Sequence, residues 1–330
     1  MPFSSDIAGH AAQLATLRQA LERSRLHHGY VFIGPEGVGK RKVALSLAKA
    51  VHCAEASSDF CGGCVSCVNI ENRNHPDVRL VAPLAGKKEI SIDQVRTLEK
   101  ELNYRAFSGK NKFAIIDPAE LMNFSAQNAL LKTLEEPPAG SVLILIASSA
   151  GGLLPTVLSR CLRLAFSPVN EAEMTRYLVE RRGVDAERAR TLASISLGSF
   201  GRALDPEMEE LAEKRAVWIE ALSAAKFPGA WAAFAEELAK DRSETLQFLD
   251  WLADWYRDVL VYRATDGAGE LCNRDLLEKL RAQAAALTTQ NALRLRARTL
   301  AASARIRRNV NRRFALENLL AKIGQVAVSN

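Results

Sequence analysis

Nowhere does this chain run apolar for the ~20 residues that a membrane-spanning helix needs, and no membrane partner is expected. The stretch Met1–Ala20 carries Asp6, His10 and Arg18 but no continuous apolar block, so no secretory signal is read there and a cytoplasmic setting is expected. Internal repeats and low-complexity tracts are missing as well. Cysteine is scarce, at six residues, yet four of them crowd together as Cys53, Cys61, Cys64 and Cys67. In a reducing compartment such a cluster favours a metal over disulfides. Past Pro168 strand signals disappear altogether.

What is present describes a globular protein. Hydrophobic residues make up 48% and charged residues 25% of 330 positions, more chain than one ordinary core takes, so two or three domains are expected. The formal net charge of +6 fits a nucleic-acid-associated protein without requiring one. Its distribution is uneven. Arg294, Arg296, Arg298, Arg305, Arg307, Arg308, Arg312, Arg313 and Lys322 sit near the C-terminus with only Glu317 against them. A solvated helix face, or pairing with acids in an oligomer, ranks ahead of direct DNA contact for these residues.

His28–Ile33 reads as a short buried strand running into Gly34, and Asp77–Val81, Phe113–Ile116 and Val142–Ala147 read the same way. Arg41–His52, Ile92–Leu102 and Ala126–Leu134 carry helical spacing between them. Short strands, apolar on both faces and alternating with helices, predict a parallel sheet covered on both sides. Glu171–Arg182 and Ala186–Leu197 read as two helices parted by Gly183, and from Pro206 the chain is rich in Ala, Leu, Glu and Arg with helical periodicity. The expected organisation is an α/β nucleotide-type domain over 1–167 with a cysteine insertion at about 53–67, a small helical domain over 168–206 and an all-α domain over 207–330.

Strand, glycine loop and helix meet at Gly34-Pro-Glu-Gly-Val-Gly-Lys40, the phosphate-loop pattern G-x-x-x-x-G-K-[ST] in every place but the last. Gly34, Gly37 and Gly39 let backbone N–H groups turn toward phosphate, and Lys40 would reach the β- and γ-oxygens. The hydroxyl that normally ligates Mg²⁺ is replaced by Arg41, and a guanidinium is never a metal ligand. Asp117, ending the strand Phe113–Ile116, is placed for a Mg²⁺-supporting acid. Pro118 follows it where an ATPase of this kind carries a water-polarising glutamate, and Glu120 is expected to point elsewhere. Hydrolysis in this pocket is not expected. Whether the loop holds ATP stays open, against the alternative of a glycine turn that binds nothing.

The clustered cysteines are spaced C-x₇-C-x₂-C-x₂-C. Each C-x₂-C turn brings two sulfurs to one tetrahedral ion, and Gly62 and Gly63 ease the bend. An iron–sulfur cluster is the competitor, but the C-x₃-C-P continuation is missing, since Val68, Asn69 and Ile70 lead on to Glu71. Structural Zn²⁺ in a closed Cys₄ site, holding the insertion together, is the expectation. Cys161 and Cys272 stand alone and read as buried small hydrophobes.

His75-Pro-Asp77, Ile92-Asp-Gln-Val-Arg96, Asn128-Ala-Leu-Leu-Lys-Thr-Leu-Glu-Glu-Pro-Pro138 and Leu158-Ser-Arg-Cys161 together resemble the delta-prime subunits of bacterial DNA polymerase III clamp loaders, members of the AAA+ superfamily. The resemblance runs over most of the chain and is densest from His75 to Cys161; Asn128–Pro138 is its most specific piece. It implies an AAA+ P-loop NTPase-like module, in which 168–206 is the helical lid, followed by a collar domain over 207–330. It also implies a hetero-pentamer with motor and delta-type subunits, part of a DNA-directed DNA polymerase holoenzyme, that loads a sliding clamp onto primed DNA. By the same resemblance Arg160 is an arginine finger acting in trans, Arg202 is the second-sensor arginine, and Asn311–Leu320 is the last collar helix. Motor subunits keep an intact phosphate loop and an Asp-Glu pair. This chain keeps neither in full, so a non-hydrolysing subunit is implied. Two other readings stand beside it: an active ATP-hydrolysing motor subunit, and a zinc-dependent nucleic-acid binder independent of ATP. Without the resemblance, Arg160 is a surface arginine capping a helix. Leu316, Leu319, Leu320 and Ile323 recur at helical spacing and are expected to pack within the collar, with Arg312 and Arg313 on its rim.

Overall fold

The computed structural model describes residues 7–56, 58–108, 110–224, 228–269, 271–308 and 310–328. Five strands, β1 (Gly29–Ile33), β2 (Val78–Val81), β3 (Lys112–Ile116), β4 (Ser141–Ala147) and β5 (Leu162–Ala165), form one parallel sheet in the order β2-β3-β4-β1-β5. Side chains alternate between its faces, as a pleated strand requires. Tyr30, Phe32, Phe113, Ile115, Val142 and Ile144 share one core with Leu14 and Leu17 of α1 (Ala11–Glu22) and Val43 and Leu47 of α2 (Lys40–His52). Cys67 and Ile70 of α3 (Val65–Glu71) join that core, so the cysteine insertion rests on it. Val31, Ala114, Ile116, Leu143 and Leu145 face the other way. There they meet Val95, Leu98 and Leu102 of α4 (Ile92–Asn103) and Ala126, Leu130 and Leu134 of α5 (Phe124–Glu135).

This is the two-sided parallel sheet that the apolar runs predict. Central strand β4 is buried at all seven positions, which is why it reads as an unbroken apolar run. The strand that the apolar pattern does not announce is β5, next to the short helix α6 (Pro155–Leu158): it lies at the sheet's edge, and Leu162, Arg163 and Ala165 are exposed there. Some signature residues prove to be local stop-and-start devices. Ser91 and Gln94 form a reciprocal capping box at the start of α4, and the Gln94 amide also donates to Ala82 O at 2.8 Å. Asn123 caps α5 by accepting from the Ala126 N–H.

Helices follow from there on: α7 (Glu171–Arg182), α8 (Ala186–Ile195), α9 (Phe200–Ala203), α10 (Pro206–Ala224), α11 (Pro228–Leu238), α12 (Arg242–Thr265), α13 (Leu277–Ala286), α14 (Thr289–Arg307) and α15 (Arg312–Val328). By contacts the chain groups into two compact units, one running to 177 and including 198–201, the other comprising 178–197 and everything from 202 onward. The second unit has its own core, built on Trp218, Trp231, Trp251 and Trp255, which are all the tryptophans of the sequence.

Leu316, Leu319, Leu320 and Ile323 are buried in this chain's own helical core; among the residues of that helix whose burial is described, Phe314 is the large apolar one left exposed, at 68%. One expectation about the C-terminus changes. The arginines find more acid than Glu317. Arg313 bonds Glu317 at 2.8 Å and Glu236 at 3.2 Å, and Arg307 bonds Asp250 at 2.9 Å. Those partners lie too far away in sequence to be counted by inspecting one helix.

Candidate functional site

In a parallel sheet every strand ends at the same edge, so the loop after β1 and Asp117 after β3 open on one side of the first unit. The loop is tightly bracketed. A Cβ at Gly34 would lie 2.0 Å from the Phe166 carbonyl oxygen, and Gly37, at φ 76°, would put one 2.2 Å from Ser199 Oγ. Ser199 donates to Glu36 O at 3.1 Å and the Gly201 N–H donates to Gly37 O at 2.9 Å. Only glycine fits at these positions.

Lys40, Arg41 and Glu120 each find a partner inside the chain. Lys40, a residue 7% exposed, turns its ammonium back on its own loop and donates to the carbonyls of Gly34 and Pro35, the latter at 2.6 Å. Burial lowers its pKa, opposed by the charges of Asp117, Glu120 and Glu36. Arg41 bonds through Nε to Asp117 Oδ2. Thus the residue standing in for the Mg²⁺-binding hydroxyl neutralises the very acid that would support the metal. Glu120 Oε1 accepts from Ser148, whose N–H is 2.8 Å away and whose hydroxyl also donates. That oxygen is engaged at the end of β4, while Oε2 is buried with no hydrogen-bond partner among the described residues.

Arg160 follows α6. Its Nη2 meets Glu135 Oε1 at 2.6 Å, and Nη1 donates to Thr156 O at 2.9 Å and Ser159 Oγ at 3.3 Å. Below it, Cys161 packs against the first residue of β1: a Cβ at Gly29 would sit 3.2 Å from Cys161 Sγ. Burial pushes the Cys161 thiol up to about 12, so it stays protonated and serves as packing. Glu135 was not singled out by the sequence. The available signal was its place in the Asn128–Pro138 block, at the last position of α5.

Arg202 belongs to the second unit. It lines a cavity of about 160 Å³ with Arg215, Asp250, Asp254 and Trp251 among others. Burial, then the charge of Asp258, raises the Asp254 carboxyl, with Arg257 and Arg202 opposing.

Cys53, Cys61, Cys64 and Cys67 bring their Sγ atoms within 4.8 Å of one another. A tetrahedral ion with metal–sulfur bonds of about 2.3 Å asks for sulfurs about 3.8 Å apart, so the four can close on one ion with little movement. The turns are already set: Gly62 has φ 76°, and the Cys64 N–H donates to Cys61 Sγ at 3.2 Å. Backbone N–H donation, from Ala54 first, brings Cys64 down to about 6, while burial pushes Cys67 up to about 12. Lys49 ties α2 to α3 through Glu71 and lies 5.3 Å over the Phe60 ring. The donor set and its support fit a bound metal ion.

A second cluster, His52, His75 and Asp77, also gathers possible ligand atoms within 4.8 Å. Its carboxylate is already taken. Asp77 accepts from the N–H groups of Phe107 (2.7 Å) and Ser108 (2.8 Å) and from the Ser108 hydroxyl (2.7 Å), which also meets His52 Nδ1 at 3.1 Å. The His-Pro-Asp signature therefore pins the loop after α4 from beneath.

Residues 9–170 match the family model described as "DNA polymerase III, delta subunit", and residues 209–325 match "DNA polymerase III, delta subunit, C terminal". The chain is 33% identical over 316 residues to DNA polymerase III subunit delta′ of Bacillus subtilis, covering 92% of this chain and 93% of that one. To the Pseudomonas aeruginosa protein of the same name it is 32% identical over 321 residues, covering 94% and 95%. A solved Thermotoga maritima protein, described as DNA polymerase III gamma subunit-related, aligns over 96% of this chain and 99% of its own at 22% identity and a TM-score of 0.46. With matches to both halves and relatives of this identity along nearly its whole length, the chain belongs to the delta′ subunit family of DNA polymerase III.

Proposed function

We propose that this chain is a non-hydrolysing member of a hetero-pentameric clamp loader in the cytoplasm, assembled with motor and delta-type subunits to place a sliding clamp on primed DNA. In this reading 168–206 acts as lid and 207–330 as collar, and the four cysteines hold one structural Zn²⁺. Arg160 reaches the ATP of a neighbouring subunit, where a guanidinium neutralises charge as the γ-phosphoryl group transfers.

The observation that carries the non-hydrolysing role is the Arg41–Asp117 ion pair. A metal-supporting carboxylate bonded to a permanent cation gains little from Mg²⁺, and Mg²⁺ is needed to offset the charge on the phosphates. Pro118 leaves no carboxylate next to Asp117 to orient water. Nucleotide affinity, where it exists, runs through Gly34, Gly37, Gly39 and Lys40, with Arg202 as the second sensor, and would have to draw Lys40 away from its own loop carbonyls. Steady-state ATPase measured on the purified chain, with Lys40→Ala as control, tests this. No turnover above the control is expected. Mg²⁺-dependent turnover that vanishes in Lys40→Ala would make the chain a motor subunit instead.

A further inference from the structure

A carboxylate in the last turn of a helix sits against the negative end of the helix dipole, where acids are unfavourable. Helix α5 ends with one, Glu135, and Glu136 follows directly. The Glu135 side chain is half-exposed, so burial does not account for its placement. It instead reaches Arg160, 2.6 Å away.

The rest of α5 builds toward the same place. Gln127, 6% exposed, donates to Gly152 O at 3.2 Å and accepts from the Leu154 N–H at 2.8 Å, fixing the segment that leads into α6. Thr156 O and Ser159 Oγ hold Nη1 of Arg160. A guanidinium has five N–H donors in a fixed fork. With both donors of Nη1 used and Nη2 held beside the Glu135 carboxylate as an ion pair, neither Nε nor Nη2 makes a hydrogen bond among the described residues. Those two are what a grip on phosphate oxygens takes.

We infer that Glu135 is a positioning residue for Arg160: its carboxylate fixes the tilt of the guanidinium so that the two free donors are presented to a phosphate group from outside this chain. The inference rests on the trans-acting role proposed for Arg160 and adds to it the residue that aims it. Thr156 and Ser159 fix one terminal nitrogen only, and rotation about that anchor is what Glu135 stops. An arm left free to rotate must be ordered during each turnover, and misplacement on the ångström scale costs up to about a hundredfold in rate.

The test is ATP hydrolysis by the assembled complex containing the full chain, with Arg160→Ala, Glu135→Ala, Glu135→Gln and the double variant compared. Glu135→Ala is expected to lower kcat by about tenfold to a hundredfold with KM for ATP unchanged, because it affects orientation and not nucleotide binding. Glu135→Gln keeps an acceptor oxygen and should recover part of the rate. Adding Glu135→Ala to Arg160→Ala should cost nothing more, since the two act as a unit. A slow Arg160→Ala beside an unimpaired or faster Glu135→Ala overturns the positioning role alone. A normal Arg160→Ala overturns the trans-acting reading and this inference with it. Loss of assembly in both Glu135 variants would make Glu135 a docking residue and likewise end the inference.

Discussion

The phosphate loop and the cysteine knuckle stand at opposite ends of the same helix, α2, and they treat their polar groups in opposite ways. At its start, Lys40 bonds its own loop, Arg41 bonds Asp117, and Glu120 bonds Ser148. Each has a partner inside the chain, although Oε2 of Glu120 is buried with no hydrogen-bond partner among the described residues. Just past its end, four sulfurs converge, and among the described residues backbone N–H groups donate to them. One site pairs its charges within the chain, while the other gathers four thiols that could hold an ion. A motif's shape and its chemistry can thus part company: the glycine loop keeps its backbone while its charges turn inward.

The contrast is broken most forcefully at the knuckle. Removing the metal with a chelator, or replacing Cys67 with Ser, is expected to lower the unfolding temperature of the first unit before it alters any chemistry. The free energy of structural Zn²⁺ sites in peptides, about 10 kcal/mol or more, is the upper guide. Elemental analysis should return one zinc per chain; iron, or no metal under reducing conditions, would remove this half of the comparison.

Next in size is Arg160→Ala. In the assembled loader it should reduce DNA-stimulated ATP hydrolysis, with about 10³–10⁵ for trans-acting arginines of GTPases as the upper guide. Folding, zinc content and assembly should be unchanged. Arg160→Lys should restore little, because lysine has no planar fork.

A smaller effect is expected at Asp77. Burial alone would raise its carboxyl, but donation by Ser108 and Phe107 together outweighs it and holds the group below the ordinary aspartate range. A folded-state pKa below the unfolded one means that this stabilisation is present above about pH 4 and is lost as pH falls through the lower folded value. Asp77→Asn should flatten that part of the acid limb in a stability–pH profile. Asp77→Ala should cost about 1–3 kcal/mol by leaving buried donors unpaired, readable by urea unfolding.

The smallest change in stability, with the sharpest lesson, belongs to Arg41→Thr. The Arg41 side chain is 43% exposed, so the pair with Asp117 is screened and worth less than about 1 kcal/mol. Stability should hardly move. Freed Asp117 and a restored hydroxyl should instead make nucleotide binding respond to Mg²⁺, measured by titrating a fluorescent nucleotide with and without EDTA. No response would place the limit at Lys40 or Pro118.

Legibility followed distance along the chain. The Cys₄ spacing and the glycine loop are local, and their geometry could be read from a dozen residues. The inner strands β1, β3 and β4 announced themselves because burial on both faces leaves them almost wholly apolar; of the two edge strands, β2 keeps three apolar residues around Arg79, whereas β5 is exposed at three of its four positions. Arg41 and Pro118 looked like two separate losses. That Arg41 answers Asp117 across 76 positions is a fact of the folded sheet that no spacing rule carries. The same holds for Glu135 beneath Arg160 and for Asp250 and Glu236 beside the C-terminal arginines. Helical periodicity marked Leu316, Leu319, Leu320 and Ile323 as an apolar face but did not say whose core they enter.

The close approach of Gly37 and Gly201 bears on when the loop acquires its shape. With Phe166 on one side and the 199–201 segment on the other, its conformational freedom is surrendered as the first unit folds, not when a ligand arrives. Such a loop contributes no ordering entropy to a later binding event, so it can outlast the ligand that once shaped it. A phosphate loop built this way keeps its outline on structural grounds alone, and its glycines are held in place by the neighbours they touch.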